Sequence, residues 1–244
     1  MKNYLPRLLP TLVLACMIGS AQAQISLEDL NLDEDVSFWY DDNAGPESLE
    51  IYEGKIFYVN VNTTTRKTFS AFKSARWIDG DIYFRGKLYH EIPLKYDLYS
   101  DQLTVLNVAG SPLHPIVPNQ QDIAYFDLEG DLFINLKNEA APDGAAGFYH
   151  VLHSGEGTGL LAKRSKRQVI EGRQLEFVES EKIYIQVGDQ FYRVRNKKSF
   201  FLAFEAYKNE IKSFSSSRRL KIKPSSEADL ITLIQYCESL INPE

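Results

Sequence analysis

Between residues 49 and 195, apolar residues recur at every second position, in runs punctuated by turn-forming pairs. In LYHEIPLKYDLYS the set Leu88, Ile92, Leu94, Tyr96 and Leu98 alternates with Tyr89, Glu91, Pro93, Lys95, Asp97 and Tyr99, and His90 interrupts the first set. A period of two sends the first set to a core and the second mostly toward water. Pro93 has no amide proton, so this strand is expected at a sheet edge or with a bulge there. Turns are expected at Glu53-Gly54, Asp79-Gly80, Ser100-Asp101 and Gly188-Asp189, whose residue types favour chain reversal. Further strands are expected at 123–128, 132–136, 147–153, 159–164, 175–179, 182–187 and 190–195. No segment between them is long and periodic enough for the crossover helix of a parallel sheet. The expected fold is therefore mainly β (α+β), an antiparallel meander curling into a barrel or sandwich.

The period changes near the C-terminus. Phe200, Phe204, Tyr207, Ile211 and Phe214 follow steps of four and three, which predicts one amphipathic helix with Ser199 as its N-cap. A basic link, RRLKIKP, leads to Ser226-Glu227-Ala228-Asp229, a capping-box-like start with Asp in place of the usual Glu. A second helix follows with Leu230, Leu233, Ile234, Cys237 and Leu240 on one face. The two apolar stripes are expected to pack on each other or on the sheet.

The N-terminus reads differently again. MKNYLPRLLPTLVLACMIGSAQAQ has a positive start at Lys2 and Arg7, a short apolar run, and Ala21-Gln22-Ala23 as a cleavage site. That run is too short to span a bilayer, which needs about 20 residues. Val13-Leu14-Ala15-Cys16 loosely resembles a lipoprotein box, but Leu14 is bulky for that site and the apolar run continues past Cys16. The expectation is export to the periplasm or beyond, with no transmembrane span after cleavage. Cys237 then remains as the one thiol, so no internal disulfide forms and the fold rests on its hydrophobic core. The expected organisation is a signal peptide (1–23), an acidic lead-in (24–46), a β domain (47–196) and a helical element packed on it (197–244).

Charge divides the chain. Residues 24–150 carry 21 acidic and 9 basic residues, a balance of −12; residues 151–244 carry 12 and 16, a balance of +4. Export and the acidic balance both argue against nucleic acid as a partner. The acidic run in QISLEDLNLDEDV (24–36) lacks the glycine and closing glutamate of a calcium loop and reads as solvated surface.

Candidate chemistry is sparse. His150 and His153 sit three apart on an expected strand, which points them to opposite faces and not at one metal ion. His90 reads as a hydrogen-bonded core histidine, and His114 as a lone histidine in a proline-rich loop. No Gly-x-Ser-x-Gly elbow follows the signal segment, and SGEGTG (154–159) lacks the ending of a phosphate loop. Cys237, on the apolar stripe of the last helix, reads as a buried, inert thiol. Asp79/Asp81, Asp97/Asp101 and Glu129/Asp131 each flank an expected turn, where acidic residues are favoured for conformational reasons alone. Tyr96 and Asp97, as strand neighbours, face opposite ways and cannot act at one point. A basic cluster, Lys163, Arg164, Lys166 and Arg167, reads first as solvated surface balancing the acidic half; the alternative joins it with Arg218 and Arg219 in one basic face toward an anionic envelope component or an acidic protein.

GKLYHEIPLKYDLYSDQLTVL (86–106), QFYRVRNKKSFFLAFEAYKNEIKSF and EADLITLIQYCESLI together resemble recurring segments in β-rich secreted proteins of Bacteroidota bacteria, a family of unknown function. The resemblance implies a single-unit cell-envelope protein and carries over no catalytic residue or cofactor. The expected function is that of a non-enzymatic binding or structural accessory protein, with no catalytic, metal or cofactor-binding residue assigned. The alternative is a carboxylate-dependent hydrolase acting on a glycan or other polymer, which needs two carboxylates from different elements facing one cleft.

Overall fold

The computed structural model describes residues 50–57, 65–66, 68–108, 113–172 and 174–242; the expected signal segment and acidic lead-in lie outside them. Twelve strands among these residues form one sheet. They are β1 (Gly54–Ile56), β2 (Thr65–Arg66), β3 (Ile78–Phe84), β4 (Lys87–Asp97), β5 (Gln102–Asn107), β6 (His114–Pro118), β7 (Ile123–Leu128), β8 (Asp131–Leu136), β9 (Gly147–Gly155), β10 (Thr158–Glu171), β11 (Gln174–Val187) and β12 (Gln190–Val194). The spatial order is β1-β6-β5-β4-β3-β7-β8-β9-β10-β11-β12, with β2 added in parallel to β11 at Gln174 and Leu175. All other ladders among the described residues are antiparallel. The sheet is not closed, and β1 and β12 end its path. Three helices follow: α1 (Lys197–Ala203), α2 (Lys208–Ser217) and α3 (Glu227–Ile241).

The sheet buries different faces along its length. From β3 to β9 one face curls around an aromatic core, in which Tyr96, Phe126, Phe133 and Phe148 lie with ring centroids 4.9–5.6 Å apart. Each such ring contributes about 1.5–3 kcal/mol by leaving water. From β9 to β12 one face packs under the helices, where Leu160, Ile183, Ile185 and Val194 meet Phe200, Ile211, Leu230, Leu233 and Ile234. The other face of this region holds a smaller cluster around Tyr149, Leu161 and Tyr184.

Several local expectations are corrected. Asp79-Gly80 makes no turn; both residues lie inside β3, and the β3–β4 reversal uses Arg85 (φ 49°) and Gly86 (φ 81°). Gly80 serves close approach instead, since a β-carbon there would sit 2.2 Å from the Asp127 carbonyl oxygen. On β4 a bulge at His90 and Glu91 (φ 53°) resets the alternation, so Tyr89 enters the core and His90 is exposed rather than core. Asp81 holds that bulge, accepting from the Glu91 amide at 3.2 Å and lying 3.1 Å from His90 Nδ1. β4 is internal, and Pro93 sits one residue beyond the end of its ladder with β5. Strands expected at 175–179 and 182–187 are one strand, β11, and β10 continues well past residue 164, so the two form a long ribbon.

The expected first helix is broken. α1 ends at Ala203, a short 3-10 turn (Glu205–Tyr207) intervenes, and α2 resumes the apolar stripe. Its N-cap is Asn196, whose side chain accepts from the Lys198 and Ser199 amides; Ser199 completes the capping box as N3. Ser226 is the N-cap of α3 but makes no side-chain cap bond, and Asp229 accepts from the Lys221 amide instead. Leu230, Leu233, Ile234 and Cys237 are buried as the periodicity requires.

Candidate functional site

Lys163 and Arg164 are neighbours on β10 and point to opposite sides of the sheet, each into its own polar network. Lys163 Nζ donates to Asp101 Oδ2 at 2.6 Å and to the Phe148 carbonyl at 3.1 Å, and it lies 4.9 Å from the centre of the Tyr149 ring. Asp101 sits in the β4–β5 turn with φ 55°, and its other oxygen accepts from the Tyr96 hydroxyl at 2.5 Å. Burial, reinforced by Asp101, pushes the Tyr96 phenol well above its ordinary range. Gly147 makes room for this contact, because a β-carbon there would lie 2.0 Å from Asp101 Oδ2. Asp97 faces away from Tyr96 and organises the turn, accepting from the Tyr99 and Ser100 amides and from Ser70.

Arg164 enters the second network. Its Nε donates to His150 Nδ1 at 3.0 Å, one terminal nitrogen reaches Glu181 at 3.2 Å, and the other reaches both oxygens of Glu227 at 2.8 and 3.0 Å. With Nδ1 accepting, the imidazole proton is assigned to Nε2, which faces Asp131 Oδ1 at 3.1 Å. Asp131 is also paired with Lys73. His150 stacks on Phe133 with ring centroids 4.8 Å apart. Burial, with Arg164 beside it, lowers the His150 pKa to about 4. The Glu181 carboxyl is raised by burial and by Glu227. Glu181 comes from β11 and Glu227 from the first turn of α3, so this cluster ties sheet to helix.

His153 is held separately. Its Nε2 lies 3.0 Å from both oxygens of Glu238 on α3, and Thr158 donates to the same carboxylate. The expectation that His150 and His153 face opposite ways is overturned. A bulge leaves Leu152 without its own partner, so His150 stands across from Ala162 and His153 across from Leu160, both on the helix-facing side. They nonetheless hold different carboxylates. Among the described residues, no group of three or more His, Cys, Asp or Glu is arranged to hold a metal ion.

The basic residues do not share one surface. Lys163 and Arg164 are committed to carboxylates, and Lys166 Nζ donates to the carbonyls of Phe69 and Ala71. Burial lowers the Lys166 pKa. Arg167, Arg218 and Arg219 are exposed, the first on the ribbon and the others between α2 and α3. Asp79, Glu129 and His114 are exposed on separate strands and turns and do not join Asp101 or His150. Cys237 is fully buried, and burial raises its thiol to about 12.

Glu181 and Glu227 were not singled out by sequence. Their link to Arg164 depends on the β10–β11 register and on the docking of α3, and neither leaves a local sequence pattern. No protein family, no curated protein and no solved structure matches the chain.

Proposed function

We propose that the protein is an exported, non-catalytic binding or structural component of the cell envelope. The signal-like N-terminus and the resemblance to secreted Bacteroidota proteins support the location. One observation carries the non-catalytic reading: both ring nitrogens of His150 are engaged, by Arg164 and Asp131, which leaves neither for a substrate. A general base needs a free lone pair within reach of the proton it removes. The exposed cations Arg218, Arg219, Lys221 and Lys223 on the α2–α3 link are the surface offered to an anionic envelope component.

Co-sedimentation with vesicles tests the partner. Binding to vesicles containing phosphatidylglycerol, absent with purely zwitterionic vesicles and lost in R218E/R219E, is expected. Equal binding to both vesicle types, or none to either, contradicts the anionic partner.

The hydrolase reading rests on Glu181 and Glu227, two carboxylates from different elements with one carboxyl raised. Arg164 occupies both, which weighs against it. Turnover of glycoside or peptidoglycan substrates that disappears in Glu181→Gln while the fold persists would establish that reading and end the non-catalytic one.

A further inference from the structure

We infer that the outer edge of β10 beyond Lys166 is a self-association surface, onto which a second copy of this chain adds its own β10, antiparallel and centred on Val169. β9 pairs with β10 only from Thr158 to Ala162, and the Lys166 amide then donates to the Leu98 carbonyl at 2.9 Å. From Arg167 to Glu171 no strand among the described residues lies along that edge. The neighbouring edge of the ribbon is occupied: β2 pairs with Gln174 and Leu175, and the Phe177 amide donates to Thr68 Oγ1 at 2.6 Å. In an antiparallel ribbon alternate residues direct their amides outward, so Gln168 and Ile170 follow Lys166 in doing so.

An open strand edge is a template for pairing unless charge, proline or a bulge blunts it. Here the charges select a partner. Arg167 and Glu171 stand symmetrically about Val169, so two-fold pairing centred on Val169 sets each Arg167 against Glu171 of the second copy. Gln168 and Ile170 then exchange backbone hydrogen bonds across the axis, and the two Val169 side chains meet. Shifting the register by one step either way places Arg167 or Glu171 opposite Val169, a charge against an apolar side chain. Ile170, 63% exposed, gains cover in the pair.

The full chain with Cys16→Ser serves as background for the test, Cys237 being buried. Facing residues at a non-hydrogen-bonded site lie within disulfide reach, with α-carbons about 4.5 Å apart. Val169→Cys is expected to oxidise to a covalent dimer about ten-fold faster than Val178→Cys, an exposed site on the other strand, because pre-association raises the local thiol concentration. Equal rates overturn the proposal. Sedimentation across a wide concentration series should show reversible dimerisation that is lost in R167E and in E171R and restored in R167E/E171R. A wild-type chain that stays monomeric throughout, or a double variant that does not recover, also overturns it.

Discussion

The two sides of β10 place adjacent cations in unlike surroundings. Lys163 closes a short chain, Tyr96–Asp101–Lys163, that fastens the β4–β5 turn across the sheet to β9 and β10. Arg164 anchors a branched network of one histidine and two glutamates, joining sheet to α3. Without Lys163, the first leaves one carboxylate, Asp101, at 32% side-chain exposure. Without Arg164, the second leaves two carboxylates held close together, Glu181 at 24% and Glu227 at 29% side-chain exposure. Two charges of the same sign, one residue apart, thus differ in consequence through what surrounds them, not through their chemistry.

This difference orders the expected effects of substitution. Arg164→Ala should be the most damaging, at about 3 kcal/mol in denaturant unfolding, because removing one member of a partly buried cluster leaves Glu181 and Glu227 uncompensated. Gly147→Ala should cost about 2 kcal/mol, since φ is 121° and the new methyl displaces Asp101 from Lys163. Lys163→Met should cost about 1 kcal/mol, the typical worth of a partly exposed hydrogen-bonded pair. Arg167→Ala, on the exposed ribbon, should change monomer stability by less than about 0.5 kcal/mol. An Arg164→Ala effect no larger than that of Lys163→Met would collapse the distinction between the two sides.

The legibility of these features follows the same physics. Burial on one face imprints alternation, so the strands from β7 to β9, the Ser100-Asp101 and Gly188-Asp189 turns and the stripe of α3 were readable directly. The bulges at His90–Glu91 and at Leu152 were not, because a single extra residue flips the face without altering composition. Unbroken alternation accordingly turns Tyr89 outward and His90 inward and sets the two histidines of β9 on opposite faces, where the bulges do the reverse. The outer half of β10 is at most half-buried and its apolar residues, Val169 and Ile170, come only after the charged run, so Lys163 to Arg167 reads as a basic patch rather than one strand with alternating partners. The Tyr96–Asp97 pair resolved as expected, with tyrosine inward and aspartate organising the turn; the link from Tyr96 to Asp101 and Lys163 required the register. The break between α1 and α2 was hidden because the apolar stripe continues through it.

Lys163, Arg164 and His150 are closed into the fold by their partners, and the protonation of His150 reports that closure. Its folded pKa, lowered to about 4, lies below the ordinary 6.5. Its contribution to stability is therefore complete above pH 6.5 and lost as pH falls toward 4, a span of at most about 3 kcal/mol. The raised Glu181 carboxyl works oppositely, favouring the fold at low pH and weakening it as the carboxylate forms. A heteronuclear NMR titration of the His150 ring, with His150→Gln used for assignment, follows the group itself. A midpoint near 4 is expected, with the proton on Nε2 above it. A midpoint at or above 6.5, or a ring whose Nδ1 carries the proton, contradicts that closure.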